Sequence, residues 1–173
     1  MGKHKEKPPH DDILVPKIDL SFPVKPSRET EISWLKKNLE NPRTPIDTKL
    51  YTIRELAKYG EMEYLRNVHS ELTNQGDALK REVERMKDGR LKLYLDAHRP
   101  IYEAAGKRED WKELTVEKRE EIVREMTVSN PGILSRLARY DEKIALIERK
   151  IKFVEKLKAE IDKVLPITKD SLF

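Results

Sequence analysis

Leu137, Tyr140, Ile144, Ile147, Ile151 and Val154 follow one another at alternating intervals of three and four residues, a spacing that constrains this chain more than any other feature. A helix that repeats apolar side chains about every 3.5 residues carries them as a narrow seam, and another helix has to cover it. The seam continues through Ile161 and Leu165, so the spacing predicts a helix from about Ser135 to Val164, ended by Pro166. Leu146, Phe153 and Leu157 fall beside the seam and widen the apolar arc to about 160° at 100° per residue. One partner helix does not cover such an arc. A bundle, or a hairpin that also oligomerises, does.

A second long helix is written upstream. Leu65, Val68, Leu72, Gly76, Leu79, Val83, Met86, Arg90, Tyr94 and Ala97 step by three or four residues, which makes one stripe of a straight helix from Glu61 to about His98. Asn74-Gln75-Gly76-Asp77 could end one helix and cap another, but the stripe keeps its phase across Gly76. The expectation is therefore one continuous helix of about 57 Å at 1.5 Å per residue. Pro100 is expected to stop it, because the proline ring clashes with a carbonyl one turn back. Residues 99–133 then form a helical connection: Thr115 can cap a short helix holding Val116, Ile122, Val123 and Met126, and Ser129-Asn130-Pro131-Gly132 is a dense turn signal. Two long helices joined by a foldback pair most economically within the chain and antiparallel. A stripe left wet forfeits roughly 25 cal/mol per Å² of burial.

The N-terminal part reads differently. Residues 1–26 hold Pro8, Pro9, Pro16, Pro23 and Pro26, half of the 10 prolines, and form an extended proline-rich arm that cannot be a regular helix. Ile18, Leu20, Phe22 and Val24 alternate within it, so an extended backbone lines them along one edge suited to docking on a neighbour. Residues 27–60 read as a short helical pair. Ser27 caps a helix with Ile32, Leu35 and Leu39, while Thr44-Pro45 opens a second with Ile46, Leu50, Ile53 and Ala57, ended at Gly60. Trp34 is expected to anchor this pair. Residues 61–165 form the long hairpin and 166–173 a C-terminal tail, so the fold class is all-α, a coiled-coil-like helical hairpin or bundle.

Composition narrows the function. Hydrophobic residues make up 37% and charged residues 39%, against about 45–50% and 25% in ordinary globular chains, as long helices with a narrow buried stripe require. Lys+Arg 36 and Asp+Glu 32 leave a net charge of only +4, so nucleic acid is permitted as a partner but not demanded. Cysteine is absent, which excludes disulfides, thiolate catalysis and cysteine-ligated metal. No apolar run of about 18 residues occurs, and MGKHKEKPPHDD lacks the apolar core of a signal peptide. The expectation is a soluble, intracellular protein with no membrane partner.

No chemical signature competes with the helical one. His4, His10, His69 and His98 lack the spacing that puts two ligands on one helical face, and the glycines are too dispersed for a phosphate-binding loop. Adjacent acids such as Glu120-Glu121 and Asp141-Glu142 belong to a solvated helix face. No catalytic residue, metal ligand or cofactor is assigned. Arg149, Lys152, Lys156 and Lys163 lie opposite the seam as a basic stripe about 21 Å long, a set of candidate phosphate contacts. The expected function is a noncatalytic structural or assembly protein that self-associates or joins protein partners through its seam and arm. The alternative is a DNA- or RNA-associated oligomeric accessory factor using the basic face.

Overall fold

In the computed structural model, residues 25–166 are described, and each helix begins where local chemistry allows. Helix α1 spans Arg28–Glu40, its first turn closed by Ser27 Oγ, which accepts the Thr30 N–H at 3.2 Å. Helix α2 spans Ile46–Lys58 and ends in a turn at Gly60, whose φ of 78° suits a residue without a Cβ. Helix α3 runs unbroken over Met62–Ala105, 44 residues and about 66 Å. A 3-10 turn, Trp111–Glu113, leads to α4, Val116–Val128, where Thr115 Oγ1 accepts the Lys118 N–H. Helix α5, Pro131–Val164, starts with Pro131 at its first position, and Asn130 Oδ1 accepts the Gly132 and Ile133 N–H groups. The described residues are all-α.

Helices α3 and α5 form an antiparallel hairpin. Successive side-chain contacts climb one helix as they descend the other: His69 to Asp162, Lys80 to Glu155 and Arg90 to Asp141. At the base, α1 and α2 close the open end. Leu39, Ile53, Leu56, Leu65, Leu72, Val154, Leu157 and Ile161 form one buried cluster there, drawn from all four helices. Arg54 Nε donates to Glu160 Oε1 at 2.6 Å and ties α2 to α5 beside it. At the tip a smaller cluster of Ala105, Trp111 and Val123, with Ile101 and Leu114 against it, folds α4 onto α3. Arg119 locks this lobe by donating from Nε to the Trp111 carbonyl at 2.8 Å while its guanidinium lies over the Trp111 ring.

Four expectations need correction. Pro100 does not stop α3, which continues to Ala105. Position 100 is exposed, so the ring projects into water, while Ile101 and Ala105 hold the stripe's phase and pack on Trp111 and Val123. Tertiary burial outweighs the missing N–H. The last helix begins at Pro131, four residues before Ser135, because Asn130 is a better cap than the turn signal alone implied. Helix α2 enters from Pro45 without a side-chain cap, so Thr44 does not serve. Trp34 is 59% exposed and anchors nothing among the described residues.

Candidate interaction surfaces

The seam of α5 is spent inside the chain. Leu137, Ile147 and Val154 are buried, and Tyr140, Ile144 and Ile151 are half-buried. Leu157, read as a flank residue, is buried in the basal cluster, whereas Leu146 stands exposed. The arc drifts around α5 because seven residues of a straight helix fall about 20° short of two full turns. The seam therefore closes the hairpin. The arm residues Ile18, Leu20, Phe22 and Val24 lie outside the described residues, as do His4 and His10.

Apolar surface is left over elsewhere. Leu91, Leu95 and Tyr102 are 55%, 51% and 42% exposed on distal α3, and half-buried His98 lies between them in sequence. Steps of four, three and four keep these side chains within an arc of about 60°. That arc sits roughly 85° around the helix from the line of Leu65, Leu72, Gly76 and Val83 that faces α5. Shallow depressions along it are walled by α3 residues alone: Leu91 with Tyr94, then Leu95 with His98 and Tyr102. His98 stacks at 5.9 Å on Tyr102, which meets Trp111 edge-on at 5.5 Å, so this flank is stiffened by ring contacts. The spacing rules applied to the sequence do not single it out. Its signal is the apolar spacing 91, 95, 102, which lies on the same helix as the longer stripe that faces α5.

The basic residues fall into two groups. Arg149, Lys152, Lys156 and Lys163 are exposed on α5, and Lys163 is engaged by Glu160 at 3.6 Å. The other three make no ion pair with a described residue. A second group, Arg136, Arg139 and Lys143, surrounds Tyr140 in a shallow depression roughly 140° around α5 from the first. Two separated patches do not make one continuous track.

Ionisable groups at the base have structural explanations. Lys49 is buried and donates from Nζ to the Leu39 carbonyl at 2.6 Å, capping the C-terminal end of α1, and burial pushes its pKa down. Tyr64 donates to Glu40 at 2.8 Å, with burial first and that hydrogen bond second raising its pKa. His69 Nε2 lies 2.9 Å from Asp162 Oδ1, at an angle that makes no hydrogen bond. Among the described residues no group of three metal-ligating side chains converges, and no helix is long and apolar enough to cross a membrane. Comparisons with family models, curated proteins and solved structures found no match.

Proposed function

We propose that this chain is a noncatalytic structural protein that assembles with protein partners, or with itself, through the outer flank of distal α3. The observation that carries the reading is the uncovered row of Leu91, Leu95 and Tyr102, set on a helix whose other apolar line is already covered by α5. Covering each half-exposed side chain is worth about 1 kcal/mol, half the value of complete burial. The tip lobe and the long rigid hairpin hold the flank at a fixed place. Ile18, Leu20, Phe22 and Val24 of the arm supply a second contact.

Capture of the tagged chain from its own cells, followed by sizing of the recovered complexes, tests this. The wild-type chain should recover a complex larger than a 20.4 kDa monomer, and the Leu91→Glu/Leu95→Glu variant should lose it with its thermal melt unchanged. Identical recovery from both chains overturns the proposal.

A second reading, DNA or RNA association, has the Arg136, Arg139, Tyr140 and Lys143 depression in its favour, with Arg149, Lys152 and Lys156 as outlying phosphate contacts. Duplex binding should then weaken steeply between about 50 and 200 mM salt, and Arg139→Ala/Lys143→Ala should flatten that slope. Binding that is undetectable at the lower salt removes this reading.

A further inference from the structure

We propose that the exposed flank of distal α3 binds the same flank of a second copy of this chain, antiparallel, around a two-fold axis near Ala97. The inference rests on the assembly reading and names its partner. Two patterns on the flank are self-complementary under that rotation. Leu91, Leu95, His98 and Tyr102 form a row about 17 Å long. Turned end for end about Ala97, Leu91 falls within a residue of Tyr102 of the second copy, and Leu95 within a residue of its His98. Large side chains then meet smaller ones, the interleaving that helix packing favours.

Charge selects the direction. Beside the apolar row, Lys92, Asp96, Arg99 and Glu103 run as base, acid, base, acid, and all four are exposed. Reversal of that order puts Lys92 opposite Glu103 of the second copy and Asp96 opposite its Arg99, each within about one residue of register. Antiparallel identical helices bring one flank against the same flank, so the match is met twice in each dimer. None of the four forms an ion pair with a described residue, although Lys87, Arg90 and Lys80 on the same helix pair with Glu84, Asp141 and Glu155. These charges are available to a partner, and their order specifies which partner and which way round.

A row this short lies at the low end of stable interfaces, so the dimer should be concentration-dependent. Sedimentation equilibrium of the full chain from about 1 to 200 µM should show monomer and dimer at about 0.1 M salt. Lys92→Glu and Glu103→Lys should each weaken association about fivefold or more, and the two together should restore it to within about threefold of wild type. Their exposed positions and their separation of 11 residues, about 17 Å along the helix, exclude a contact between them within one chain. A wild-type chain that stays monomeric to the highest concentration overturns the inference, as does a double variant no better than the singles. The assembly reading is separate: it survives a monomeric result if Leu91→Glu/Leu95→Glu still loses the captured complex, and falls only if that variant keeps it.

Discussion

Gly89 lies against the ring of Tyr140 across the hairpin, where a methyl group at position 89 would come within 3.1 Å of Tyr140 Oη and 3.2 Å of Cε1. Gly76, about three and a half helical turns away on α3, faces Val154 with room for a methyl group, which would lie in ordinary contact 3.6 Å from Val154 Cγ1. Alanine is favoured over glycine inside a helix by about 1 kcal/mol. Gly76→Ala should therefore raise the melting temperature by about 2–4 °C. Gly89→Ala should show no such gain, since the Tyr140 ring must shift to admit it. Differential scanning calorimetry of both variants checks the contrast; equal gains would mean that the Tyr140 ring is not held.

Glu160 gives the fold an acid-sensitive tie. The Arg54 hydrogen bond, then Arg54 and Lys163 as charges, hold its carboxyl below the ordinary value of 4.5 against the opposing effect of burial. A depressed folded pKa contributes stability that is present above pH 4.5 and is lost as pH falls through the folded value. Arg54→Met should cost about 1–3 kcal/mol at neutral pH, since it strips a nearly buried carboxylate of its main donor. Urea titrations should show that deficit shrinking as pH falls below 4.5 and the carboxyl takes up its proton. A deficit that stays constant would exclude the ion pair as its source.

Ile161 is fully buried where α1, α2, α3 and α5 meet, whereas Leu146 faces water on the same helix. Ile161→Ala should destabilise by about 2–5 kcal/mol through lost burial and the cavity it leaves. Leu146→Ala should change stability by less than about 0.5 kcal/mol. Denaturant midpoints for the pair decide whether the basal cluster is the chain's main core.

Pro100 breaks one backbone hydrogen bond inside α3 at an exposed site. Pro100→Ala should restore it and stabilise the chain by about 1–3 kcal/mol, with helical content unchanged by circular dichroism. A rise in helical content would instead mean that α3 ends at the proline in solution.

Periodicity made the two long helices legible, since apolar residues separated by three and four have one structural reading over thirty or more residues. The phase across Gly76 foretold an unbroken helix, and α3 is continuous there. Pro100 ends a helix by the local rule, and the packing at Ile101, Ala105 and Trp111 overrides that rule. Trp34 departs from expectation in the opposite sense: a large aromatic is expected inside, but α1 needs only Leu39 buried, with Ile32 and Leu35 partly covered. Which apolar stripe would be consumed internally could not be read from spacing, because the α5 seam and the Leu91 row both satisfy it. Only the positions of the neighbouring helices separate a spent surface from an open one.

The chain enters α1 and leaves α5 at the same pole of the molecule, beside the Ile161 cluster, while Trp111 marks the opposite pole about one α3 length away. Reporter groups attached near Lys25 or Pro166 would consequently share a vantage point, and a dye placed at Lys107 would watch the far extremity without disturbing either.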